Sequence, residues 1–215
     1  MTQPRNHKPL VYGSAATIAA AAIGLLLAYL LGAFDGARGH IQAADVCSNT
    51  HNDQAVADLL NSTLPRASHY DFSTTSSPSA NHRYSISCTV HGDDNKELLL
   101  ETAKIGYERP WRKWAAEEVP PTSGGKITHF NAGIKGVSAP TLAVIDVPCY
   151  AHQGATGTPY NLTVIAMALK PMQGSDNQIR QNFVDLALDF AKASHKDAKC
   201  DRPSVLPAKA TAPSL

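Results

Sequence analysis

Hydrophobic and polar positions divide this chain at Phe34. From Leu10 to Phe34 no side chain is charged, and every acidic residue lies beyond that stretch. A helix rises about 1.5 Å per residue and a bilayer core is about 30 Å thick, so about 20 apolar residues are enough to span it. The pattern therefore predicts one transmembrane helix over residues 10–34, strongest at residues 18–31 (IAAAAIGLLLAYLL), with no proline interrupting it. Tyr12, Tyr29 and Phe34 suit the membrane interfaces. A cleaved signal peptide is the main rival. Its apolar region would be about 7–15 residues long and would end in a small-x-small site. Residues 32–38 (GAFDGAR) make a poor cleavage site, Ala43-Ala44-Asp45 is a weak one, and Val46 before Cys47 breaks the lipoprotein pattern. An uncleaved anchor is favoured.

Beyond the span the pattern changes to alternating and helical periods. Ala55, Val56, Leu59, Leu60 and Thr63 recur at helical spacing, which predicts a helix over residues 52–64 ended by Pro65. Residues 71–82 (DFSTTSSPSANH) read as a polar loop. Tyr84, Ile86, Cys88 and Val90 alternate with polar residues, and residues 97–107 follow the turn HGDDNK, so a hairpin is expected. Pro110 opens a short helix carrying Trp111, Trp114 and Ala115 on one face. Further strands are expected at residues 126–130, 141–149 and 161–170, and a second long helix at 176–193 with Ile179, Phe183, Leu186, Ala187 and Phe190 on one face. The expected fold is α+β: a mostly antiparallel sheet of about five strands, flanked by an N-terminal and a C-terminal helix and preceded by the transmembrane helix. The expected organisation is a cytoplasmic N-terminus (1–9), the span (10–34), a stalk (35–46), a disulfide-bonded extracytoplasmic domain (47–200) and a Pro/Ala-rich mobile tail (201–215).

Charge sets the orientation. Arg5 and Lys8 precede the span while Asp35 and Arg38 after it cancel, so residues 1–9 are expected in the cytoplasm. Removing those two cations from the 19 basic residues leaves 17 against 18 acidic, a net charge of −1 outside. No basic stripe with interleaved aromatics occurs, which argues against nucleic acid as a partner. The four cysteines, Cys47, Cys88, Cys149 and Cys200, all lie beyond the span and form no CxxC pair. In an exported domain such spacing reads as two disulfides. Three pairings are possible. Cys47–Cys88 with Cys149–Cys200 is favoured, because each bond then ties a helix end to a nearby strand. Each would contribute about 4 kcal/mol in the loop-entropy model.

No catalytic signature emerges. Gly136-Val137-Ser138-Ala139-Pro140 has proline where a nucleophile elbow needs glycine, and it precedes a strand instead of following one. Gly124-Gly125-Lys126 lacks the earlier glycine and the hydroxyl after lysine of a phosphate loop. His51 with Asp53, His69 with Asp71, and His91 with Asp93 and Asp94 each offer ligands, but without the His-x-x-x-His spacing that places two imidazoles on one helical face. Asp93-Asp94 and Glu117-Glu118 read as solvated pairs. No metal site and no cofactor is expected. The remaining candidate is Tyr107, Arg109, Trp111, Arg112 and Trp114, where aromatic faces interleave with cations. Such faces bind sugar rings or peptide side chains, and the cations attract anionic polymers. The plainer reading has one or both tryptophans covering the end of the sheet.

Cys47 just before a helix, Cys88 in the first strand, Val147-Pro148-Cys149 at a strand end and Lys199-Cys200 closing the last helix, together with the Ala-rich span and Pro/Ala tail, resemble the uncharacterised membrane-anchored, lipoprotein-like extracytoplasmic proteins of actinobacteria. The resemblance implies location and fold class. The function expected is a non-catalytic module binding a protein partner or cell-envelope polymer, with an envelope hydrolase assembled from distant residues as the alternative.

Overall fold

The expected strand segments become part of a seven-stranded sheet whose pairings are all antiparallel. The computed structural model describes Ile23 and residues 38–77, 83–119, 126–151 and 157–214. The chain divides into two compact units, Met1–Ala37 and Arg38–Leu215. The span expected at residues 10–34 lies outside the described residues, apart from Ile23, which is helical. Among the described residues no helix is long and apolar enough to cross a membrane.

In chain order the elements are α1 (Asp53–Thr63), β1 (Asp71–Ser77), β2 (Ser85–Gly92), β3 (Lys96–Tyr107), α2 (Trp111–Glu118), β4 (Thr128–Phe130), β5 (Lys135–Ala139), β6 (Leu142–Tyr150), β7 (Tyr160–Ala168) and α3 (Asp176–Asp197). The sheet order is β1-β2-β3-β7-β6-β5-β4. The α+β class holds, but the count of about five strands is corrected to seven. The two additional strands have clear physical reasons for escaping the pattern. β1 is an edge strand of serine and threonine with only Phe72 half-buried, so it shows no apolar alternation, and its ladder to β2 holds it in place. β5 is short and carries Gly136, whose missing side chain leaves room for the Phe130 ring.

The flanking helices also need correction. α3 lies on one sheet face against Ala143, Ile145 and Val147 of β6 and Leu162, Val164 and Ala166 of β7. α1 packs chiefly on α3. The opposite face is covered by α2, whose Trp114 and Ala115 meet Val137, Ala139, Leu142 and Val144. β6 is therefore buried on both faces, which explains its continuous apolar run. Local chemistry sets the ends: Asn52 caps α1 by accepting from the Ala55 N–H, and Ser175 caps α3 by accepting from that of Gln178.

Two disulfides join Cys47 to Cys88 and Cys149 to Cys200, the favoured pairing. Each links a segment bordering a helix to a strand of the core. Residues 38–46, expected as part of a stalk, lie against the domain. Ile41 is buried, its N–H and carbonyl both bonded to the Asn61 side chain, and Arg38 reaches Tyr70, Gln173 and the Leu64 carbonyl. Residues 201–214, expected as a mobile tail, run along α3: Lys192 donates to the Ala208 carbonyl and Gln181 to that of Ala210.

Candidate functional site

The five residues of the aromatic and cationic candidate do not all converge. Pro110 fixes the entry to α2, and the helical period then sends Trp114 inward and leaves Trp111 on the first turn. Trp114 is buried, and its indole N–H donates to Thr163 Oγ1 of β7 at 3.0 Å. It covers a face of the sheet, whereas the plainer reading places the tryptophans over the sheet's end. Arg109 pairs with Glu117 and with Glu118, the latter at 2.9 Å, and Lys104 of β3 reaches Glu118 at 3.1 Å. These pairs tie α2 to the end of β3. Tyr107 is exposed and stacks on Tyr160 with ring centroids 4.7 Å apart, as β3–β7 register pairs the two residues.

Trp111 and Arg112 do come together, joined by two residues that sequence reasoning missed. The Arg112 guanidinium carbon lies 5.5 Å from the Trp111 ring centroid, and Lys135 Nζ lies 5.4 Å from it. His129 meets the same indole edge-on at 4.9 Å. His129 and Lys135 project from the β4–β5 hairpin towards α2, because His129 pairs with Val137 and Lys135 is two residues from Val137 on the same face. Recognising residues 135–139 as a strand would have placed both. The result is a half-buried indole with three nitrogen-bearing side chains around it, and Ile127 and Ile134 exposed nearby in sequence. Cations against an indole face are stabilised by the ring quadrupole while keeping hydrogen-bond donors for an external anion.

The buried carboxyls lie elsewhere. Burial pushes Asp146 of β6 up to about 6, opposed by the hydrogen bond from Asn161 at 3.0 Å. Burial pushes Glu101 of β3 up to about 8, with the charge of Asp189 acting the same way. Glu101 faces α3, whereas Asp146 is on the α2 side. One cleft of about 90 Å³ between α1 and α3 is lined by Ala55, Val56, Leu59, Asp185, Leu186 and Asp189. A second, of about 370 Å³, runs from Pro65 past Asp93 and Leu98 to Pro171. Neither is lined by Glu101 or Asp146. Ser138 of the elbow-like sequence is buried within β5. His69 stands between Asp71, at 3.3 Å, and Asp93, at 3.2 Å. Among the described residues no group of three or more His, Cys, Asp or Glu could hold a metal ion.

No protein family, curated protein or solved structure matches this chain.

Proposed function

We propose that this chain is a single-pass, membrane-anchored module whose domain lies outside the cytoplasm and binds, without catalysis, a negatively charged partner of the cell envelope, either a protein or a wall polymer. The observation that carries this reading is Trp111 with Arg112, Lys135 and His129 around it: a half-buried aromatic ring flanked by two cations on α2 and the β4–β5 hairpin. The two disulfides support an oxidising compartment. The uncharged stretch over residues 10–34, with Arg5 and Lys8 before it, supports an anchor with a cytoplasmic N-terminus.

The test is cosedimentation of the full-length protein, in mild detergent, with purified wall fragments before and after removal of their anionic polymers. Retention should fall with added salt and with Lys135→Ala or Trp111→Ala. Retention unchanged by both substitutions, together with unchanged protein capture from native membranes, would remove this surface from the function.

A further inference from the structure

A second surface lies on the opposite side of the same hairpin. Arg180 of α3 is fully buried. Its Nη2 donates to Thr128 Oγ1 and, at 3.0 Å, to Ser138 Oγ, and its Nη1 donates to the Pro213 carbonyl at 2.6 Å. Its Nε has no partner. All these acceptors are neutral, and among the described residues no carboxylate pairs with it. Burial lowers its pKa, yet a guanidinium stays charged at any ordinary pH. A buried cation without an anion is costly to maintain, and one with a free donor still has a bond to offer. Thr128 Oγ1 and Ser138 Oγ are 3.1 Å apart, so the hydroxyls can rotate to donate to an incoming anion.

What occupies this place is a peptide. The tail passes over α3 and is held by side chains of that helix. Lys192 Nζ donates to the Ala208 carbonyl at 2.9 Å. Gln181 donates to the Ala210 carbonyl and accepts from the Ala212 N–H, both at 2.9 Å. Arg180 then takes the Pro213 carbonyl. The grips fall on the backbone, and the gripped residues at alternate positions, Ala208, Ala210 and Ala212, carry small side chains, with Lys209 and Thr211 between them. Ala210 is buried, and Ala212 packs on the core. A neutral carbonyl sits where the charge of Arg180 would favour an anion.

We infer that this surface of α3, β4 and β5 is a binding site for a short extended peptide with alanine-sized side chains at alternate positions and a free carboxylate at its end, which the chain's own tail occupies in its place. The carboxylate would take the position of the Pro213 carbonyl on Arg180 Nη1, with the guanidinium held at Nη2 by Thr128 and Ser138, while Gln181 holds the preceding backbone. This site is separate from Trp111 and does not depend on the wall-binding reading.

The test uses the full chain in detergent with residues 208–214 replaced by glycine and serine, which removes the packing of Ala210 and Ala212 and the stiffness of Pro213, so that the tail competes more weakly. The probe is dye-labelled Lys-Ala-Thr-Ala-Pro with a free C-terminus, titrated by fluorescence anisotropy against the same peptide as its amide. The acid should bind roughly tenfold more tightly than the amide, since its bond to Arg180 becomes charge-assisted on both sides. The unaltered chain should bind the acid more weakly by about tenfold or more, because its tethered tail competes at high effective concentration. Arg180→Gln should abolish the preference for the acid. Should that variant fail to fold, Ser138→Ala and Gln181→Ala provide independent readouts, the first reducing the acid preference and the second weakening both peptides equally. Equal binding of acid and amide by the tail-replaced protein, or no binding of either, would overturn the proposal. Displacement of the peptide by acetate at equal concentration would overturn the peptide assignment.

Discussion

Replacing Glu101 by glutamine should make the domain more stable in alkaline solution. Glu101 is 3% exposed on β3, in register with Cys88 on one side and Ala166 on the other. It accepts no hydrogen bond among the described residues, and Asp189 of α3 adds a second negative charge. Burial is the larger cause of its shift from 4.5 to about 8. The sign follows from where the proton is held. Below pH 4.5 both folded and unfolded chains carry a neutral Glu101, and the group costs nothing electrostatically. Between 4.5 and about 8 the unfolded chain releases the proton while the folded one keeps it, so stability falls by about 1.4 kcal/mol per pH unit. Above 8 the full penalty is present, at most about 5 kcal/mol.

Glutamine has nearly the same shape and no charge, so it removes the titration and retains the packing. Urea unfolding of the full chain in mild detergent, with disulfides intact and tryptophan emission as the signal, checks this at pH 5, 7 and 9. Glu101→Gln should exceed the unaltered chain by roughly 3 kcal/mol at pH 9, and the two should agree within about 1 kcal/mol at pH 5. Asp146 titrates in both proteins, so the difference between the curves reports Glu101 together with its repulsion from Asp189. A difference independent of pH would refute the reasoning, as would a variant less stable at pH 9. Either outcome would mean that the carboxylate is charged and well partnered in the fold.

The two tryptophans should separate cleanly. Trp114→Ala should cost about 3–5 kcal/mol in the same assay, since it removes a buried indole and leaves Thr163 without its donor, whereas Trp111→Ala should cost about 1 kcal/mol or less. Equal losses would show that Trp111 is core. For the covalent framework, mass spectrometry of unreduced peptides should find Cys47 joined to Cys88 and Cys149 to Cys200. Replacing either pair by serine should cost about 4 kcal/mol, and four free thiols in native membranes would refute both the pairing and the compartment.

Much of the sheet was legible because burial writes a period into the sequence. Tyr84 to Val90 alternates since β2 has one face on the core, and residues 141–149 run apolar because β6 is covered on both. β1 was illegible for the complementary reason. Residues 71–77 bury almost nothing, so their strand character comes from the partner ladder and leaves no apolar mark. The aromatic candidate was legible in part. Helical spacing marks Trp111 and Trp114 as neighbours on one helix, but only the sheet beneath decides which of them is sealed. His129 and Lys135 are remote from Trp111 in sequence and needed the β4–β5 pairing to reach it. Glu101 was hidden more deeply: a charged residue in an alternating strand reads as solvent-facing, yet its parity with Leu99 and Ala103 places it inside. Tertiary burial overrode residue type there, and the cost appears as a displaced protonation equilibrium.

One hairpin serves both proposed surfaces, and the pleat keeps them independent. Successive residues of β4 point to opposite faces, so Thr128 joins Arg180 while His129 joins Trp111; in β5 Ser138 and Lys135 divide the same way. The hairpin is held firmly enough for this division to persist. Gly133 has a left-handed φ of 59°, a side chain there would strike the Asp146 carbonyl, and that carbonyl accepts the Ile134 N–H at 2.7 Å. Phe130 fills the space above Gly136. A substitution at His129 or Lys135 therefore leaves the guanidinium pocket in place, and one at Ser138 leaves the indole patch in place. A one-residue shift of β4 against β5 would instead exchange the faces and destroy both surfaces together. Simultaneous loss of wall retention and peptide binding in a single-residue variant of this hairpin consequently points to register, whereas loss of one alone points to the side chain that was changed.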